Sequence, residues 1–468
     1  MRYYSYLISL LWLVLVLPLA AGNEDELLQQ LQAIPGAEVE EIPPIPGYHR
    51  TFRIFLTQPL DHDNPAGKTF RQKIYLCHLN NDRPMVLGTE GYQVYHPTQY
   101  EISAILNANQ LIVEHRFFND SRPDSLDWQY LTIQQAAADH HRIVAFFKSI
   151  YPGKWINTGA SKGGQTALFH RRFYPNDVDV TVAYVAPIPM SFTDPQLDAF
   201  LASVGDAACR DKIAHFQRLL LQHREEMLPL LQRWAETKEQ AFSIGVPVAF
   251  EYAVLEYPFS FWQSAGSDCP SIPEIWGDPE AMFAHFGAVV PFSLYTDSGI
   301  ARFRPFFYQA ASELGYYGYR NEHLQDLLQA VPNPDNHIFT PPNSMPVYRP
   351  EVMQDIRNWL VHQGNNIIYI YGELDSWSGA GIVPGPETNA LRMVNPGGHH
   401  ATRIADFSPE DQAKIFQTLE VWLDMKVTGL GKQTGGGYLK LNLLFLIGAI
   451  LITYYLFLRK RKPGQQKE

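Results

Sequence analysis

The tightest chemical pattern in these 468 residues is Gly159-Ala160-Ser161-Lys162-Gly163, a serine with glycine two residues away on either side. G-x-S-x-G suits a sharp turn from a strand into a helix, because small neighbours let the backbone fold tightly while the hydroxyl projects. Gly163-Gly164 would then open a helix whose first N–H groups face the charge that develops on an attacked carbonyl. A serine so placed needs a base, and the base needs an acid to orient it. Asp375 follows the apolar run Asn366–Tyr371, and His399-His400 follow Ala390–Val394 and the glycines Gly397-Gly398. The order Ser, Asp, His, each just past a strand, suits nucleophilic acyl transfer. In that reading Ser161 attacks, His400 relays the proton and Asp375 fixes the imidazole tautomer. The motif alone is weak; its position and the order of its partners give it weight.

A sheet must hold those strand ends. Thr51–Leu60 and Phe70–Leu79 read as a hairpin around the polar loop 61–67, after an acidic, Pro-rich lead-in from Glu38 to Pro46. Met85–Leu87 and Leu111–Val113 are short apolar runs, the second ending in Glu114-His115-Arg116. Ile133, Ala136, His140, Val144 and Phe147 recur at helical spacing behind the capping-box pair Thr132 and Gln135. Trp155–Thr158 and Val180–Val185 read as strands on either side of a helix at Gln165–Tyr174. From Met190 to Tyr348 helices dominate, notably Asp211–Lys238, with aromatic loops such as Tyr257–Trp262. Alternation resumes with a helix at Val352–Gln363, strands at Asn366–Tyr371 and Ala390–Val394, and an amphipathic helix at Pro409–Lys426. Such alternation, broken by one insertion, predicts an α/β-hydrolase fold whose mainly helical cap lies between the nucleophile and acid strands. The expected boundaries are 23–189 and 349–430 for the core and 190–348 for the cap.

The two ends carry address signals. Residues 1–22 combine Arg2, an apolar run from Leu7 to Leu19 and the small residues Ala20-Ala21-Gly22, which reads as a secretory signal peptide. A glycine-bearing linker at 431–440 precedes the uncharged apolar run 441–458, long enough for one transmembrane helix. The basic tail 459–468 follows, so the positive-inside rule puts the tail in the cytoplasm and the body outside it. The expected location is the cell envelope or surface. Net charge is −11, and Arg2 together with six Lys/Arg and one Glu in 440–468 masks further acidity, leaving −17 for residues 23–439. A surface this acidic argues against nucleic acid as a partner and is compatible with cationic or amine-bearing substrates. Of the three cysteines, no pair has CxxC spacing, which speaks against a structural zinc site. Cys209 and Cys269 fall in the same inserted segment and are expected to form a disulfide, leaving Cys77 reduced.

Several further stretches give the chain a family resemblance. They are Thr89-Glu90-Gly91-Tyr92, Glu114-His115-Arg116-Phe117-Phe118 and Asp127-Trp128-x-Tyr130-Leu131-Thr132. With them go Gly159-Ala160-Ser161-Lys162-Gly163-Gly164, Gly372-Glu373-x-Asp375-x-Trp377 and Gly397-Gly398-x-His400-x-x-Arg403-Ile404. Over roughly residues 48–425 the chain resembles the bacterial secreted tripeptidyl aminopeptidases, serine peptidases of the α/β-hydrolase clan. It is more distantly similar to the lysosomal Pro-X carboxypeptidase and dipeptidyl peptidase family. The resemblance implies Ser161, Asp375 and His400 as the catalytic set, its spacing favouring His400 over His399. The C-terminal anchor departs from a freely secreted enzyme. Glu90-Gly91-Tyr92 lies where this fold places the second oxyanion donor, so the N–H of Lys162 and that of Gly91 or Tyr92 are the expected pair. Glu90, Tyr92 and Trp377 are expected to contact substrate, Glu90 by receiving its α-amine. Glu114, His115 and Arg116 read as a buried polar network, and His140 and His141 as structural.

The expected activity is removal of short peptides from unblocked N-termini through an acyl-enzyme, with peptides as substrates and neither cofactor nor metal. A prolyl-specific exopeptidase and a carboxylester hydrolase are the alternatives, since one triad serves many substrates. The chain lacks an HGGG-type oxyanion motif, which weighs against the ester. A silent binding protein on the same scaffold would have no use for the full Ser, Asp and His set.

Overall fold

Nine apolar runs form the strands of the computed structural model, which describes residues 22–264, 268–427 and 429. They are β1 (Ala37–Ile42), β2 (Arg50–Pro59), β3 (Thr69–His78), β4 (Met85–Thr89), β5 (Asn109–Val113), β6 (Trp155–Ala160), β7 (Val180–Tyr184), β8 (Ile367–Gly372) and β9 (Leu391–Asn395). One sheet takes them in the order β1-β2-β3-β5-β4-β6-β7-β8-β9. The pairings β1–β2, β2–β3 and β3–β5 are antiparallel, and every pairing from β5 through to β9 is parallel. The carboxyl ends of the parallel strands therefore open on one edge, where α/β sheets hold their ligands. This is an α/β-hydrolase fold.

The helices are α1 (Gly22–Gln32), α2 (Glu101–Leu106), α3 (Ile133–Phe147), α4 (Lys162–Phe173), α5 (Pro195–Leu201), α6 (Ala207–Gln222), α7 (Arg224–Thr237), α8 (Val246–Gln263), α9 (Pro279–Val289), α10 (Asp297–Gln309), α11 (Pro350–His362) and α12 (Pro409–Leu423). Side chains alternate across a strand. In β8, Ile368 and Ile370 pack with Ile102 and Ile105 of α2 and Ile415 and Leu419 of α12. Their neighbours Ile367, Tyr369 and Tyr371 pack with Leu168 of α4 and Met353, Ile356 and Leu360 of α11. Both faces of the strand are covered, which is why β8 reads as an unbroken apolar run.

Between β7 and α11 the described residues contain no strand, and α5 to α10 build a core of their own. Phe216 and Leu220 of α6, Met227 and Leu231 of α7, and Phe250, Val254 and Phe261 of α8 meet there. A disulfide joins Cys209 in α6 to Cys269 after α8, while Cys77 is a buried free thiol whose pKa burial pushes up to about 12.

The structure corrects the sequence reading at three places. The acidic lead-in contains β1, whose glutamates find partners across the sheet: Glu38 with Arg71, Glu40 with Arg53, and Glu41 with Arg50 at 2.7 Å. Charge on an edge strand also discourages pairing with other chains. The stretch Asp211–Lys238 is two helices, α6 and α7, broken at His223. The aromatic segment Tyr257–Trp262 is the end of α8, not a loop. Pro258 lacks the N–H that would reach Val254 O, and Gln217 Nε2 donates to that carbonyl instead at 2.7 Å. Also unforeseen is α1, whose Leu27 and Leu31 pack against Phe147 and the sheet.

Among the described residues no helix is long and apolar enough to cross a membrane. The expected spanning segment 441–458, its linker and its tail lie outside the described residues. So does the expected signal peptide, apart from Gly22, which begins α1.

Candidate active site

β6 delivers the chain to Ser161, and α4 starts at the next residue. Ser161 has φ 56° and ψ −126°, a conformation costing a non-glycine residue roughly 1–3 kcal/mol that its surroundings must impose. Ser161 N donates to Tyr184 O at 2.9 Å and Gln165 N to Ser161 O at 2.9 Å. Thr89 Oγ1 donates to the carbonyls of Thr158 (3.2 Å) and Gly163 (3.0 Å), tying β4 to the turn. Close approach explains the glycines: a Cβ on Gly159 would stand 2.3 Å from Gly163 O, and one on Gly163 2.8 Å from Thr89 O.

Asp375 and His400, the expected acid and base, stand on the loops after β8 and β9. Asp375 is fully buried, and its Oδ2 lies 2.9 Å from His400 Nδ1, so the ring donates from that nitrogen to the carboxylate. Asp375 Oδ1 accepts from Trp377 N at 3.2 Å. The two loops touch through backbone: Leu374 N donates to Gly398 O at 2.7 Å, and a Cβ on Gly372 would stand 2.5 Å from Gly398 C. His399 Nδ1 instead accepts from Ala401 N at 3.2 Å. Among the described residues no hydrogen bond joins Ser161 Oγ to the His400 ring, yet both line one cavity. Contacts of this kind often tighten only when substrate is in place.

Lys162 is the first residue of α4, so its N–H has no partner within the helix. Gly91 packs directly on it: a Cβ at 91 would lie 2.6 Å from Lys162 Cβ and 2.7 Å from its carbonyl carbon. Lys162 Nζ donates to Gly91 O at 2.7 Å and sits 5.5 Å from the ring centres of both Tyr92 and Phe118. Burial drives its pKa well below the usual lysine range. The segment after β4 and the serine turn are thus locked together through this side chain.

The cavity holds about 520 Å³, a volume typical of small-ligand sites. Ser161, His400, Tyr92 and Trp377 line its floor together with Arg403, and residues of α8, α10 and the loop through Tyr316, Tyr317 and Tyr319 close it. The roof is bonded to the catalytic loops: Ser376 Oγ donates to Phe259 O at 2.7 Å, and His400 N to Gln263 O at 3.2 Å. A separate hollow of about 710 Å³ between Asp297, Arg304 and the segment around Pro341 shares no lining residue with it.

Glu90 is not among the cavity's lining residues. Its carboxyl accepts from the Tyr100 hydroxyl, burial raises its pKa, and the Arg403 guanidinium alongside works the other way. Glu114 binds Lys73 Nζ at 2.9 Å and accepts from Ser121 Oγ and from the N–H of Val94. Arg116 forks onto both oxygens of Asp139 at 2.7 Å each. His115 Nδ1 lies 2.8 Å from Arg116 O, and burial first and the neighbouring Lys162 second hold its pKa well below the usual histidine range. His140 is buried against Ala136 O, and His141 pairs with Asp177 at 2.8 Å. Among the described residues no cluster of His, Cys, Asp and Glu is arranged for a metal ion.

A charged lining residue escaped the sequence reading. Glu256 of α8 is 4% exposed and faces the cavity. Its signal was the helix itself, since Val246–Gln263 carries only two charged residues, Glu251 and Glu256. A carboxylate in so apolar a helix needs a reason.

Residues 20–431 match the PS-10 peptidase S37 family. The prolyl tri/tetrapeptidyl aminopeptidase of Streptomyces mobaraensis is 36% identical over 408 residues, covering 85% of this chain and 85% of its own. The lysosomal Pro-X carboxypeptidase of Bos taurus is 24% identical over 462 residues, covering 85% of this chain and 91% of its own. Among solved structures, the proline iminopeptidase of Mycobacterium smegmatis superposes with a TM-score of 0.35 at 14% identity, over 79% of this chain and 98% of that one, a likeness too loose to carry weight. The matched span takes in the serine turn, the helical insertion and both partner loops, and the chain accordingly belongs to the PS-10 peptidase S37 family of serine peptidases.

Proposed function

We propose that this peptidase removes short peptides from unblocked N-termini, with Ser161 as nucleophile, His400 as general base and then acid, and Asp375 as the group that orients the imidazole. Ser161 Oγ attacks the scissile carbonyl and gives its proton to His400, which passes it to the departing amine; water then hydrolyses the acyl-enzyme by the reverse relay. The N–H groups of Lys162 and Gly91 receive the oxyanion. Tyr92 and Trp377 form part of the substrate wall. The observation that carries this reading is the convergence on one roofed cavity of a strained serine and a histidine 2.9 Å from a buried carboxylate. The cap, residues 190–348 in our division of the chain, admits only chain ends. Matched peptides with free and acetylated N-termini, alongside small esters, test it. The free peptides should be cleaved at least tenfold faster, and equal rates or a preference for the esters would overturn the reading.

A prolyl preference has specific support. Phe306, Phe307, Tyr316 and Trp377 give the cavity an aromatic lining suited to a pyrrolidine ring, and the Streptomyces relative bears a prolyl name. Peptides with Pro or Ala at the residue whose carbonyl is attacked would separate the two readings. We also infer export by residues 1–22 and anchoring by 441–458. The disulfide between Cys209 and Cys269 supports an oxidising compartment. Deleting 441–468 should move activity from the membrane fraction to the medium, and retention in the membrane pellet would contradict the anchor.

A further inference from the structure

α8 contains two buried glutamates that are satisfied in opposite ways. Glu251 pairs with Arg224 Nη1 at 2.7 Å and accepts from the N–H groups of Gln329 (2.9 Å), Ala330 (2.9 Å) and Val331 (2.7 Å). It is a structural anion with its charge compensated. Glu256, five residues on, accepts only from two neutral hydroxyls: Tyr317 at 2.6 Å and Ser260 at 2.9 Å. Among the described residues no Lys, Arg or His pairs with it and no backbone N–H reaches it. A carboxylate withdrawn from water normally has a cation or several strong donors. Glu256 has neither, and it sits at the wall of the cavity that Ser161 and His400 share. Burial accordingly pushes its carboxyl up to about 7.

Resting on the N-terminal exopeptidase reading, we propose that Glu256 is the receptor for the substrate's α-ammonium group. A free α-amine is largely cationic at neutral pH, so it supplies the missing counter-charge and three donors. The aromatic rings around Glu256 add faces that attract a cation. The distance along the cavity from Glu256 to Ser161 then measures off the released fragment. This assigns the register-setting role to the roof.

The test is a cycle on enzyme and substrate together, using the full chain. Wild type and Glu256→Gln are each given a peptide with a free α-amine and the same peptide lacking that amine. Loss of a hydrogen bond to a charged group predicts a roughly 10- to 100-fold lower kcat/KM for the free-amine peptide in Glu256→Gln. The preference for the amine should collapse to within about threefold, because the two changes remove one interaction. Phosphonylation of Ser161 reports that the variant is folded. If Glu256→Gln does not fold, Glu256→Asp must still raise KM for the amine peptide more than for its partner. An undiminished amine preference in either folded variant overturns the assignment of Glu256. Failure of the wild-type chain to cleave either peptide would instead sink the exopeptidase reading itself.

Discussion

Glu256→Gln should make the free enzyme more stable at alkaline pH, and the size of the gain follows from the structure. Burial pushes the carboxyl up to about 7 in the folded chain from an ordinary 4.5, and the Tyr317 and Ser260 hydroxyls oppose it in part. The groups facing it are these two hydroxyls and the buried Tyr295, Tyr316 and Tyr319, whose own phenols burial holds well above their usual range. None of them carries charge between pH 4 and 9. Below about pH 4.5 Glu256 is protonated in both states and has no effect. As pH rises from about 4.5 to about 7 the unfolded carboxyl ionises while the buried one stays protonated, so stability that was complete in acid falls, by roughly 3 kcal/mol in all, and levels off above about pH 8. Glutamine does not ionise, and the two hydroxyls can rotate to serve its amide. For a folded unit of about 400 residues, 3 kcal/mol is worth roughly 4 °C in Tm. Thermal unfolding of both proteins at pH 4.5, 6 and 8.5 should therefore show a gap that grows from near zero to about 4 °C. A gap independent of pH, or a variant less stable at pH 8.5, would refute the reasoning.

Lys162→Met frees the Gly91 carbonyl from Nζ and should loosen the pairing of the two proposed oxyanion donors. Steady-state kinetics should show kcat lower by about 10- to 100-fold with KM nearly unchanged, and an unaltered kcat would contradict the locking role. Replacing Cys209 and Cys269 together by serine opens a loop of 60 residues, which should lower unfolding free energy by about 4 kcal/mol in denaturant titration. Asp139→Ala leaves Arg116 buried without its anion and should cost about 3–5 kcal/mol by the same measurement, and a loss below about 1 kcal/mol would show that the network is dispensable.

The sheet was legible because each strand–helix alternation is written locally, in periodicity and in the turns that bound it. The serine turn was legible for the same reason, since Gly159, Ser161 and Gly163 lie within five residues and their spacing is set by one backbone bend. Asp375 and His400 could be found because both follow strands, although only the coordinates show which ring nitrogen faces which oxygen. What was hidden depends on contacts between distant residues. The glutamates of β1 look like a solvated lead-in until the arginines at 50, 53 and 71 are seen opposite them. Pro258 looks like a helix breaker until Gln217, from another helix, takes its orphaned carbonyl. Glu90 stood next to the expected oxyanion hole in sequence, and so drew the amine-binding role. The carboxylate that faces the cavity comes from α8, far along the chain, and no local pattern relates it to Ser161.

The central claim is that Ser161 is the nucleophile of a peptidase acting at free N-termini. The most direct measurement is mass spectrometry of the chain after reaction with an organophosphonate, combined with peptide hydrolysis by wild type and Ser161→Ala. One adduct should form, on the peptide containing Ser161. It should vanish in Ser161→Ala together with at least about 10⁴-fold of the cleavage of a free-amine peptide. An adduct on a different residue, or cleavage that survives Ser161→Ala, would contradict the account.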